Sequence, residues 1–215
     1  MTKSRRESTA MPSYYEFSPE NELDRDLFAH FITDAAASST PTYICDIRTP
    51  PGRFEQYCFE GRARAEANAR MRGKAWRPTD QVTPGQALTV DELGRVGEGY
   101  IEEMLAGPDG ERGLDVAPVL TDRTDDRPDK TLNGLKFDVK AANPRPGDSF
   151  AVPVWQVASK GFDALLLVQH IEPGLARVWC CRCKPEGGAW RSQAGVRGKK
   201  PFWRIECTPA PATAA

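Results

Sequence analysis

With 215 residues, 40% of them hydrophobic, the chain can bury one substantial core, with room for an appended subdomain. A formal net charge of −1 excludes bulk attraction to nucleic acid, so a polyanionic partner has to be argued from local patches. No run of about 18 apolar residues and no apolar leader segment occurs, so no membrane helix is predicted and the expected location is cytoplasmic.

In chain order, residues 1–13 are polar and without periodicity. Leu23, Leu27, Phe28, Phe31, Ile32 and Ala35 then recur at helical spacing behind Asn21 as N-cap. Residues 41–48 read as a strand, 49–52 as a turn and 53–59 as a second strand. Between 61 and 77, Arg62, Arg64, Arg70, Arg72, Lys74 and Arg77 are opposed only by Glu66. Such a segment either follows a phosphate backbone or forms the solvated face of an Ala-rich helix.

Thr89 and Glu92 have the spacing of a capping box and open a predicted helix over 89–105. Its apolar stripe is Val90, Leu93, Val96, Tyr100, Ile101, Met104 and Leu105. At 100° per residue Glu98 lies beside that stripe, where the helix is expected to meet a sheet. Gly97 and Gly99 each cost roughly 1 kcal/mol against Ala in a helix, which implies that something approaches the backbone closely there.

Residues 114–120 read as a sheet strand, followed by a polar loop and then the most informative stretch, 128–140. Asn133-Gly134 between two apolar/polar alternations is the signature of a hairpin closed by a type I′ turn. That turn fixes the register: Leu132 faces Leu135, Thr131 faces Lys136, Lys130 faces Phe137, and Asp129 faces Asp138. Leu132, Leu135, Phe137 and Val139 then share a core face, while Asp129, Lys136, Asp138 and Lys140 share the other. Two carboxylates facing each other repel unless a proton or cation lies between them, and a divalent metal is the economical choice.

Beyond the hairpin, residues 152–160 read as a short helix containing Gln156, 162–168 as a buried central strand and 175–183 as an alternating strand. That alternation sends Cys180 to one face and Cys181 and Cys183 to the other, which disfavours structural Zn2+. The six cysteines are expected as thiols, not as a disulfide framework. Arg197, Lys199, Lys200, Phe202, Trp203 and Arg204 form a second basic and aromatic cluster, and 208–215 is a Pro/Ala-rich end expected to be disordered. His30 and His170 are isolated, and no histidine-based hydrolase follows from them.

Helix with Glu, then Pro-Asp, then a strand with Asp-x-Lys is an order that resembles the PD-(D/E)xK, or restriction-endonuclease-like, nuclease superfamily. Gly94-Arg95-Val96-Gly97-Glu98 is similar to its first-helix signature, Pro128-Asp129 to its Pro-Asp, and Asp138-Val139-Lys140 to its (D/E)xK. The resemblance implies an α/β (α+β) fold with a restriction-endonuclease-like core, a mixed central sheet flanked by helices in the order αβββαβ. It places that core at 88–207, after an N-terminal helical and strand extension at 1–87. It further implies Mg2+, with Mn2+ able to substitute, held by Glu98, Asp129, Asp138 and the Val139 carbonyl. Lys140 would stand near the attacking water, with Gln156 as a further candidate. The implied activity is hydrolysis of DNA phosphodiesters, of restriction, phage or repair type, by a homodimer. Two alternatives stay open: a junction-resolvase-like nuclease, and a non-catalytic nucleic-acid-binding or assembly protein on the same fold. Arg62, Arg64, Arg70, Arg72, Lys74, Arg77, Lys199 and Lys200 are the candidate nucleic-acid contacts.

Overall fold

The computed structural model describes residues 14–73, 88–107, 130–143, 149–159, 161–194 and 201–211. The expected strand at 114–120, together with Asp129, Lys74, Arg77, Lys199 and Lys200, lies outside the described residues.

Local chemistry places the first elements. The two-residue strand β1 (Glu16–Phe17) precedes helix α1 (Glu22–Ala35), whose N-cap Asn21 accepts the Leu23 N–H at 3.0 Å. Phe28, Ile32 and Ala35 form its buried stripe. Strand β2 (Thr42–Arg48) follows as expected. Residues 53–59, expected as a strand, instead open the 19-residue helix α2 (Arg53–Met71). The buried residues Phe54, Tyr57, Cys58 and Gly61 fall at i, i+3, i+4 and i+7, a helical period that outweighs the short aromatic alternation. Gly52, at φ 88°, supplies the left-handed turn into it.

Helix α3 (Val90–Ala106) carries the capping box: Thr89 accepts the Glu92 N–H, and the Glu92 carboxylate accepts the Thr89 N–H at 2.9 Å. Both glycines inside it are close-approach sites. A Cβ on Gly97 would stand 2.7 Å from Cβ of Ala141, and one on Gly99 2.6 Å from the Tyr57 ring. The hairpin is formed by β3 (Lys130–Leu132) and β4 (Leu135–Ala142), with Asn133 at φ 50° and Gly134 at φ 79°. Its register is the expected one over Lys130↔Phe137, Thr131↔Lys136 and Leu132↔Leu135.

Strand β5 (Ser149–Pro153) runs directly into the short helix α4 (Val154–Ser159), and β6 (Ala164–Glu172) and β7 (Leu175–Arg182) form the next hairpin. Strands β8 (Trp190–Gln193) and β9 (Phe202–Glu206) complete the chain; β5, β8 and β9 were not expected from the sequence.

The strands form two sheets, β1-β2-β7-β6-β4-β3 and β5-β9-β8. The larger is mixed: β4 runs parallel to β6 and β1 to β2, and the other pairs are antiparallel. The fold is therefore of mixed α+β class, and β2, from the N-terminal third, lies inside the large sheet between β1 and β7. One core lies between this sheet and α1, α2 and α3, joining Phe28, Ile32, Tyr100, Met104, Phe137 and Leu166. A second lies between its opposite face and the small sheet, joining Phe150, Val152, Leu165, Leu167, Trp179 and Ile205. Strand β6 feeds both, with Leu166 and Val168 toward the helices and Leu165 and Leu167 toward the small sheet. Among the described residues no helix is long and apolar enough to cross a membrane.

Candidate functional site

Alternation along β4 decides where the Asp-x-Lys motif points. Phe137 and Val139 join the helix-side core, and Ala141 meets Gly97 of α3 on that same side. Asp138 and Lys140 therefore face the other way, toward the small sheet, where Ala142 packs against the second core. Asp138 has 0% of its surface exposed, and its Oδ2 is ion-paired with Nζ of Lys140. The face expected to be open for chemistry is thus partly roofed.

Helix α4 lies over the same side, since Val157 packs against the second core. The Oε1 of Gln156 is buried and has no hydrogen-bond partner among the described residues. Cys183 was not singled out as a site residue, yet it lies within electrostatic reach of the pair. Burial and then the Asp138 charge push its thiol up to about 12, against a pull from Lys140. The sequence signal was partial: alternation put Cys181 and Cys183 on one face, but nothing local identified the strand facing them. At that pKa Cys183 is a thiol at neutral pH and no nucleophile.

Glu98 belongs to a different neighbourhood. It stands on α3, across the sheet from Asp138, and its carboxylate accepts from Arg64 of α2 at 3.0 and 3.3 Å. It flanks the apolar stripe as expected, but on the side that meets α2. Arg62 is similarly occupied, its Nε 2.6 Å from Glu92, and Arg70 pairs with Glu66 within its own helix. Arg72 is exposed just beyond α2. The expectation that only Glu66 opposes this basic segment is corrected: α3 supplies the other carboxylates. Burial alone would raise the Glu92 carboxyl, but Thr89 and Arg62 outweigh it and hold the group below its usual value.

The seam between α2 and α3 continues this pattern. Arg53 reaches Glu103 at 3.1 Å, while Arg95 reaches Glu60 at 2.6 Å and Glu102 at 2.7 Å and stands 4.9 Å above the Tyr57 ring. Lys130, buried on the helix side, ends on Glu102 at 2.8 Å.

Hard oxygen donors suit Mg2+, and the Asp138 carboxylate with the adjacent Val139 carbonyl fits such an ion. Glu98, the third expected ligand, is engaged by Arg64 on the helix side. Among the described residues no three His, Cys, Asp or Glu side chains converge as a metal group, and Asp129 lies outside those residues. Compared with family models, curated proteins and solved structures, the chain matches none.

Proposed function

We propose that the chain is a divalent-metal-dependent nuclease that hydrolyses DNA phosphodiesters, with a restriction-endonuclease-like core of the PD-(D/E)xK type. The observation that carries this reading is Asp138 at 0% exposure, joined to Lys140 on one strand. Burying a carboxylate completely is expensive, and a pair with an ammonium that stays 18% exposed rarely improves on an apolar contact, so keeping Asp138 in a packed layer suggests a use beyond stability. The order of elements supports it: helix α3, hairpin β3–β4, then β5 of the small sheet, helix α4, and β6 laid parallel to β4.

Asp138 and the Val139 carbonyl would hold Mg2+, with Asp129, which the sequence pattern sets opposite Asp138, as a further candidate. Bound there, Mg2+ supplies the charge that polarises a phosphoryl oxygen and acidifies its water. The rest falls to the chain's own groups. Lys140 offsets the Asp138 charge in the resting protein and can turn toward negative charge developing on the phosphoryl oxygens. Gln156 brings a buried, unsatisfied acceptor to the same side of the sheet, suited to orienting a water or the Lys140 ammonium. Glu98 is left out of this set and assigned to the helix seam.

The test is incubation with supercoiled, linear, single-stranded and four-way-junction DNA, with and without Mg2+, beside Asp138→Ala. Metal-dependent cleavage that drops by about 100-fold or more in the variant is expected from losing a group of this kind. Absence of metal-dependent cleavage on every substrate, or an unimpaired variant, overturns the proposal.

A further inference from the structure

The outer face of the small sheet presents a feature that the seam between α2 and α3 lacks. Register places Arg191 of β8 directly beside Arg204 of β9, with Ala151 of β5 completing the row. Trp190, Ile205 and Phe150 in the next row point inward to the second core, so Arg191, Arg204 and Ala151 point outward, and all three are exposed. Two residues along the strands, the row Gln193, Phe202 and Pro153 shares that outward face. Like charges directly opposite one another on a sheet destabilise it. Glu206 relieves part of this, 3.3 Å from Arg191, while Arg204 has no acidic partner among the described residues.

We infer that this face binds a single-stranded segment of nucleic acid, with Arg191 and Arg204 on successive phosphates and Phe202 as a platform for an unpaired base. Charge complementarity selects a polyanion, and phosphates set between the two guanidinium groups remove their mutual repulsion. The aromatic ring beside them selects a strand whose bases are free, since a duplex hides its π-faces. Ala151 keeps the row flat, and the Gln193 amide can reach a base edge. The choice of partner rests on the nuclease reading, and the surface deepens it by naming the form of substrate engaged.

The experiment measures binding and cleavage separately on the full chain. Fluorescence anisotropy with labelled oligothymidylate of about 16 nucleotides, and with the matching duplex, is recorded in EDTA as salt rises from about 50 to about 200 mM. The wild type is expected to prefer the single strand. The Arg191→Ala/Arg204→Ala double variant should bind roughly tenfold more weakly and lose about 1.4 from its log–log salt slope, the share of two phosphate contacts. Phe202→Ala should weaken binding roughly tenfold with the slope unchanged, as loss of a stacked base requires. All substituted side chains lie on the outer face, and an unchanged melting temperature verifies the fold. Unaltered affinity and slope in the double variant overturn the inference, as does equal binding of duplex or tighter binding of polyglutamate. Metal-dependent cleavage with a silent double variant leaves the nuclease standing without this surface. Binding through this face with no cleavage leaves the surface standing without the nuclease.

Discussion

Along the seam between α2 and α3, Arg53, Arg62, Arg64 and Arg95 each end on a carboxylate, whereas on the outer face of the small sheet Arg191 and Arg204 lie side by side. The same residue type closes one surface and charges the other. An arginine whose partner is across a helix interface carries packing energy and little outward field; one set against its own kind leaves charge for a ligand. A run of basic residues in a sequence therefore does not locate an electrostatic surface until the facing element is known.

Arg95 is the most deeply buried arginine of the seam. Only 7% of its side chain is exposed, and it satisfies Glu60 and Glu102 together, the latter shared with Lys130. Arg95→Ala takes the guanidinium from both carboxylates, leaving Glu102 with Lys130 and Glu60 with the Gln56 amide, and should cost about 2–3 kcal/mol, the range for lost hydrogen bonds to charged groups. Urea denaturation reads this directly, and a loss below about 1 kcal/mol would show that the seam is as weakly coupled as an open surface.

Glu98 and Arg64 meet at a more open point of the same seam. As a seam residue, Glu98→Gln should remove no more than about 1 kcal/mol, matched by Arg64→Gln and not added to it in the double variant. Metal affinity, followed by calorimetry, should stay unchanged. A Glu98→Gln variant that loses divalent binding while keeping its stability would return this carboxylate to the catalytic set.

The smallest effect concerns pH at the end of the seam. His170 stacks on Phe54 of α2 with centroids 5.1 Å apart, and burial lowers its pKa, with Glu172 pulling it back up. The folded state thus binds its proton less readily than the unfolded chain. His170 contributes stability above its unfolded value, near 6.5, and loses it as pH falls through 6.5 toward the lowered folded value. The denaturation midpoint should drop between neutral and mildly acidic pH, and His170→Phe should flatten that part of the profile. An identical profile in the variant would assign the acid sensitivity to other groups.

What the sequence disclosed was mainly what short-range physics controls. Asn133-Gly134 dictated a turn and with it a register, and Thr89 with Glu92 dictated a helix start, because each is closed within four residues. The missed elements depended on distant partners. Taking 53–59 as a strand hid the first part of α2 and its packing on α3, and two consequences followed: the arginines after Gly61 had only Glu66 to oppose them, and Glu98 had only the sheet to face. Its angle beside the apolar stripe was correct, but a helical wheel does not say which neighbour occupies the boundary. The small sheet stayed hidden because β5, β8 and β9 are short and β5 pairs with β9 across a long stretch of sequence. Of the proposed site, Asp138 and Lys140 were legible as neighbours on one face. That the face is partly roofed, with Cys183 within electrostatic reach of the pair, required the whole fold.

Strand β6 makes one further demand on the molecule. Leu166 and Val168 belong to the helix-side core and Leu165 and Leu167 to the other, so neither layer can peel away without exposing a side of the same backbone. Its amides should be among the last to exchange with deuterated solvent, opening only when the whole chain unfolds, while those of β1 and β8 exchange through local fraying. A motion that admits substrate beneath the small sheet would have to occur without opening β6, as a tilt of the roof over an unmoving floor.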